Sequence, residues 1–183
     1  MADFSVKYPV REKKAKGLRK FLFYFVQWTW GLPVNLFGGI AFLICTRLLH
    51  RRYQRFGYAF ITYLPWNAGG LSLGIFIFMK DQHPSKRWTY NTRIHEYGHT
   101  WQCLVLGPLY WVVVGLPSSF WCNVLGGIRA KKKISYYKLY CEGWANLWGQ
   151  RFSCLPLDLR GIDAKYMYNY KEKLAAKALK EKR

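Results

Sequence analysis

Residues 89–106 read Thr-Tyr-Asn-Thr-Arg-Ile-His-Glu-Tyr-Gly-His-Thr-Trp-Gln-Cys-Leu-Val-Leu. Thr89 or Asn91 can cap a helix and Gly107-Pro108 stops one, so a helix is expected to end near Leu106. On a helix, side chains four residues apart share a face. His95 and His99 therefore come together, with Glu96 beside them. Two imidazoles on one face are half of a zinc site, and a neighbouring carboxylate is placed to act as general base. The plain alternative is a pair of hydrogen-bonded helix histidines. Gly98 speaks against it, because a glycine inside a helix costs about 1 kcal/mol and marks close approach by another element.

A catalytic zinc takes three protein ligands and leaves a fourth position for water. The chain has 4 His, and the other two, His50 and His83, lie among basic or turn-forming residues that suit solvated roles. Cys141-Glu142-Gly143-Trp144-Ala145-Asn146 offers a better third ligand. In a helix expected over Ser135–Phe152, Glu142 and Asn146 share a face, so Glu142 can bind the metal while Asn146 orients a ligand imidazole. Pairing of Glu142 with a lysine is the structural alternative. Asp158, in Leu155-Pro156-Leu157-Asp158, is a rival ligand.

The 183 residues suit one domain, spanning 1–183, and the composition is segregated: 51% hydrophobic, 19% aromatic, with a net charge of +20. Phe21–Cys45, Tyr58–Met79 and Leu104–Ile128 carry no charged residue, and the first and third are 25 residues long. About 20 apolar residues cross a bilayer as a helix, so a membrane-embedded, mainly α protein is expected. Gly31-Leu32-Pro33, Gly107-Pro108 and Gly115-Leu116-Pro117 interrupt these segments, and basic clusters flank both ends of the first. Lys and Arg favour the cytoplasmic side, so broken or re-entrant hairpins opening to the cytosol fit better than simple crossings, which remain the rival topology. A soluble protein with an unusually apolar core is the third possibility.

The basic clusters abut apolar segments rather than forming a nucleic-acid module, which makes membrane lipid the expected partner and excludes nucleic acid. Residues 1–20 read as a basic arm without a signal-peptide cleavage pattern, and residues 163–183 as a basic tail helix. The odd count of 5 Cys argues against a disulfide framework. Leu71–Phe78, after Gly69-Gly70, suggests a strand in a small β ribbon.

HEYGH at 95–99 followed by Glu142-Gly143-Trp144-Ala145-Asn146 resembles the gluzincin pattern, HExxH followed by ExxAD. That pattern occurs in membrane proteases related to the CAAX prenyl proteases and in heat-shock-induced membrane proteases. The runs HEYGHTWQ and GPLYWVVVGLPS also resemble small uncharacterised bacterial membrane proteins, which implies a bacterial-type cell membrane; the basic flanks add the expectation of a site toward the cytosol. The resemblance covers two short segments and departs at Asn146, where the family has Asp. It implies a zincin-like active-site helix, Zn²⁺ held by His95, His99 and Glu142, and Glu96 as base. It further implies a strand edge that holds extended peptide, and a Tyr among Tyr136, Tyr137 and Tyr140 as oxyanion donor. The site-2 protease pattern fits less well, because Leu157-Asp158 is followed by Leu159 rather than Gly.

The expected activity is zinc-dependent hydrolysis of a peptide or protein substrate at the membrane. A zinc-dependent lipid amide or ester hydrolase, and a non-catalytic metal-binding membrane scaffold, are the alternatives. A membrane di-iron hydroxylase or desaturase site, which uses about eight histidines, is poorly matched by a chain with 4.

Overall fold

The computed structural model describes residues 17–67 and 69–157. The expected tail helix at 163–183 and the rival ligand Asp158 lie outside these residues, as does most of the basic arm. The elements in chain order are α1 (Leu18–Thr29), α2 (Leu32–Leu43), β1 (Tyr53–Phe56), β2 (Ala59–Leu64), β3 (Gly70–Leu73) and β4 (Phe76–Lys80). They are followed by α3 (Lys86–Leu106), α4 (Leu116–Asn123), α5 (Gly126–Lys131) and α6 (Tyr140–Ser153). The protein is mostly helical, around a small mixed sheet.

The expected break at Gly31 is present: α1 and the helical run Leu32–Leu48 meet at 92°. Gly31 has no room for a side chain, since a Cβ would fall 2.9 Å from both Asn35 Nδ2 and the Gln27 carbonyl. Asn35 organises the corner. Its Nδ2 donates to Gln27 Oε1 (2.7 Å) and to the Gly31 carbonyl (2.9 Å), while its Oδ1 accepts from Ile75 N (2.9 Å). Gln27 Nε2 in turn donates to the Thr100 carbonyl of α3 (2.9 Å). Both side chains are fully buried, and a buried amide persists only where its polar atoms find partners. The two polar residues thus tie the apolar corner to the sheet and to α3.

The second charge-free stretch is sheet. Its strand order is β1-β2-β4-β3, with β1/β2 and β3/β4 antiparallel and β2/β4 parallel. The single strand expected at Leu71–Phe78 is instead a hairpin, because Gly74 at φ +66° turns the chain. Side-chain alternation separates two cores. Ala59, Ile61, Tyr63, Ile77 and Met79 face Ile94 and Tyr97 of α3, whereas Phe60, Phe76 and Phe78 pack with Phe23 and Phe42 of α1 and α2. Strands covered on both faces read as continuous apolar runs, which is why this stretch looks like a membrane segment in sequence.

α3 starts earlier than expected. Ser85 caps it, accepting from Trp88 N (3.1 Å), rather than Thr89 or Asn91. It stops at Gly107, φ +53°, passes into the 3₁₀ turn Gly107–Leu109, and the whole run Lys86–Leu109 meets Trp111–Asn123 at 118°. Gly115-Leu116-Pro117, expected to break the segment again, only converts a π turn into α4, since Pro near a helix start gives up an amide that had no partner. The helix expected over Ser135–Phe152 divides into a 3₁₀ turn, Tyr136–Lys138, and α6, separated by the extended Leu139. Among the described residues no single helix is long and apolar enough to cross a membrane, but the two bent pairs pass that test together.

Candidate metal centre

The site lies where α3 and α6 cross. At Gly98 an added Cβ would lie 1.8 Å from the Ala145 carbonyl oxygen, and at Gly149 one would lie 2.0 Å from the Ile94 carbonyl oxygen. The two glycines bring the backbones into contact, as Gly98 alone suggested. Glu142 and Asn146, on α6, consequently face His95 and His99 across the crossing.

His95 Nε2 and His99 Nε2 lie 3.0 and 3.5 Å from Glu142 Oε2, and 3.2 Å from each other. These are close to the ligand separations of about 3.3 Å that tetrahedral zinc with bonds of about 2.0–2.1 Å requires. All three residues are buried, Glu142 completely. Among the described residues, His95, His99 and Glu142 form the one group whose atoms could share a metal ion.

The outer faces of the imidazoles determine where their protons sit. Gln102 Nε2 donates to the Cys141 carbonyl (2.8 Å), so Gln102 Oε1 is the atom 2.6 Å from His99 Nδ1. Asn146 Oδ1 lies 2.8 Å from His95 Nδ1. A carbonyl-type oxygen only accepts, so both Nδ1 atoms carry a proton, and in the neutral imidazoles Nε2 is the bare nitrogen turned to Glu142. Two nitrogen lone pairs then converge on Glu142 Oε2, itself buried without a hydrogen-bond donor. That arrangement is repulsive unless a metal ion, or an extra proton on an imidazole, occupies the point of convergence. The donor set of two His and one carboxylate fits zinc.

Without a metal, burial opposes charge on His99, but the Glu142 carboxylate beside it outweighs that and pushes its pKa to about 9. Burial likewise pushes the Glu142 carboxyl up, and the two imidazoles outweigh it, holding the group well below the usual carboxylate range.

Glu96 points to the sheet. Ser72 Oγ on β3 lies 2.9 Å from its Oε2 and 2.8 Å from its backbone carbonyl, and Gly70 is so close that a Cβ there would fall 2.3 Å from Glu96 Oε1. β3 is an edge strand. The Gly69 carbonyl pairs inward with Lys80 N (3.3 Å), so by alternation the backbone groups of Gly70 face away from β4. The Ser72 carbonyl on that outer side accepts from Tyr110 Oη (3.1 Å).

Of the three tyrosines, the rings of Tyr137 and Tyr136 lie 5.4 and 6.3 Å from that of His95. Burial, with Glu142 adding to it, pushes the Tyr137 phenol up to about 12 and that of Tyr136 higher still, so both remain protonated donors. Tyr140 is exposed and donates instead to the Val113 carbonyl. His50 is exposed, and His83 stacks on Trp88 with ring centroids 4.0 Å apart, so neither joins the group. All five cysteines are free.

Three residues of the site escaped sequence reasoning. Gln102 follows His99 by three positions, a spacing that could have identified it as a same-face partner. Ser72 and Gly70 left no local signal, because only the sheet brings them to Glu96. Comparison with known protein families, curated proteins and solved structures finds no match, so the likeness to the gluzincins stands on the motif residues themselves.

Proposed function

We propose that the protein is a zinc-dependent peptidase working on peptide segments at a membrane, with His95, His99 and Glu142 as the metal ligands. The observation that carries this reading is the meeting of two imidazole Nε2 atoms and a carboxylate oxygen, at near-tetrahedral spacing, beside the buried carboxylate of Glu96, which stands outside that group. A structural histidine pair has no use for Glu96, whereas a hydrolase needs such a carboxylate as base. Zinc, when bound, supplies Lewis acidity that polarises a carbonyl and lowers the pKa of water.

Glu96 takes the proton of the attacking water and hands it to the leaving amine. Ser72, hydrogen-bonded to its carboxylate, holds it in position. The protonated phenol of Tyr137 is the nearer donor to negative charge developing on the substrate oxygen, and Tyr136, whose hydroxyl lies 3.1 Å from Ser118 Oγ, is the second. The outward backbone of Gly70 offers an extended chain one donor and one acceptor next to Glu96, as β-strand addition requires.

The test is metal content together with turnover. Wild-type protein should bind one zinc per chain and cleave an unstructured protein such as β-casein in detergent. His99→Ala and Glu142→Ala should lose the metal, and Glu96→Gln should keep it and lose cleavage. Full zinc retention by both ligand variants would sink the assignment; zinc binding without cleavage by the wild type would leave a metal site that is not a peptidase, and unchanged cleavage by Glu96→Gln would refute Glu96 as the base.

A further inference from the structure

The two bends lie against each other. Trp30, at the corner between α1 and α2, packs its indole on Gly107 at the turn that ends α3, where an added Cβ would fall 2.5 Å from the ring. Trp30 Nε1 also donates to the Val105 carbonyl (3.0 Å). Phe37 of α2 meets Trp111, just beyond the second turn, edge to face with centroids 6.2 Å apart. The sequence shows two unrelated interruptions, and the fold joins them into one tip.

That tip is apolar and bare. Leu32, Leu36, Phe37, Leu109 and Val112 are 43%, 50%, 63%, 55% and 62% exposed. An exposed apolar patch of this extent marks contact with another apolar phase. The polar surface is one-signed. Of the acidic residues in the described parts, Glu96 and Glu142 are buried in the site and Asp81 pairs with Arg52. The exposed cations Arg19, Lys20 and Arg47 lie near the outer ends of the first bent pair, and the exposed Lys131–Lys133 follow the second in the chain, at the end of α5 and beyond it.

Arm length and angle set the depth. α1 is 12 residues, and at 1.5 Å per residue it spans about 18 Å. The run Leu32–Leu48 spans about 25 Å, also short of the hydrocarbon thickness of about 30 Å. Arms meeting at 92° cannot both follow the bilayer normal. Tilted equally, α1 carries the corner down by about 13 Å, which is within one leaflet.

We propose that the shared Trp30–Gly107 tip inserts into a single leaflet of a bilayer containing anionic lipid, with all the basic arm ends remaining on the side of entry. The inference rests on the membrane part of the functional reading but not on the metal, and its readouts need no zinc, so the two can fail separately.

The experiment uses the full chain with exposed Cys122 and Cys154 changed to Ser, added from detergent to preformed vesicles of phosphatidylcholine with phosphatidylglycerol. Single cysteines are placed at Val112 in the tip and at Lys20 and Lys132 in the basic flanks. Val112→Cys should become unreactive to water-soluble maleimide, and a nitroxide on it should report a depth short of the midplane. Lys20→Cys and Lys132→Cys should both react with impermeant maleimide from outside. Omitting phosphatidylglycerol should weaken binding by about tenfold or more. The double variant Leu32→Asp/Val112→Asp, altered only at exposed positions, should keep the wild-type circular dichroism spectrum and stop floating with vesicles.

Protection of one arm until the vesicles are lysed would mean that the chain crosses, and would overturn the proposal. So would a nitroxide at or beyond the midplane, or a Val112→Cys that stays reactive, which would assign the tip to a protein partner. Equal binding without phosphatidylglycerol would overturn the anionic-lipid part.

Discussion

Replacing Gly98 with alanine is expected to weaken metal binding severely without altering any of the three ligand residues. The added Cβ would sit 1.8 Å from the Ala145 carbonyl oxygen, and restoring the 3.0 Å below which Cβ atoms essentially never lie asks α3 and α6 to part by about 1.2 Å. The obstacle is helix backbone, which cannot rotate aside. The wedge falls between His99, the next residue on α3, and Asn146, the next residue on α6. A metal site tolerates ligand errors of about 0.2 Å, so zinc affinity should fall by two orders of magnitude or more. Alanine favours the helix by about 1 kcal/mol, whereas overpacking costs about 1–3 kcal/mol, so the metal-free variant should be less stable by up to about 2 kcal/mol. Competitive zinc titration and thermal unfolding with and without chelator measure the two effects. Gly127→Ala is the control, since nothing lies within 4 Å of its Cβ position and only the helix gain should appear. If Gly98→Ala binds zinc normally and melts higher than wild type, the α3–α6 crossing does not set the geometry of the site.

Gln102→Leu removes the acceptor of His99 Nδ1–H and the side-chain donor to the Cys141 carbonyl, so zinc affinity should fall about 10–100-fold, as competition with a chromophoric chelator would show. Asn146→Ala should cost a similar factor and Asn146→Asp much less, because aspartate keeps an acceptor on His95 Nδ1; equal losses in the same titration would refute that role. Below its raised pKa of about 9, His99 holds a proton that zinc must displace, so apparent zinc affinity should rise by up to tenfold per pH unit between about 6 and 9. Calorimetry in buffers of different ionisation enthalpy should record that proton, and its absence would refute the close pairing of His99 with the Glu142 carboxylate in the metal-free protein. Ser72→Ala, which frees the Glu96 carboxylate, should lower turnover with little change in bound zinc, read as kcat against metal content.

Much of the centre was legible because its information is local. The spacing of His95, Glu96 and His99 within one helix, and of Glu142 and Asn146 within another, needs only the helical repeat to be read. Gly98 signalled a close neighbour for the same reason, since a mid-helix glycine is costly unless something occupies the space. The break at Gly31 and the stop at Gly107 were equally local. The sheet was harder. Continuous apolar strands buried on both faces lack the alternation that marks a half-exposed strand, so Tyr58–Met79 resembled the two other charge-free stretches, and Gly74 gave no sign that it divides one strand into two. At Pro117 a residue that usually breaks helices sits where a helix begins, and neighbouring geometry decides which applies.

By itself, the sequence determined the metal-binding vocabulary: which residues can ligate, which carboxylate stands beside them, and where the apolar segments bend. Those properties follow from side-chain chemistry and backbone stereochemistry, which act over a few residues. The tertiary structure alone decided that Gln102 holds the His99 Nδ1 and that Asn146 meets His95 rather than His99, that Ser72 and Gly70 hold Glu96, and that the bends at Trp30 and Gly107 form one tip. Each of these depends on close contact between elements far apart in the chain, and such contacts exist only once packing has placed one backbone against another.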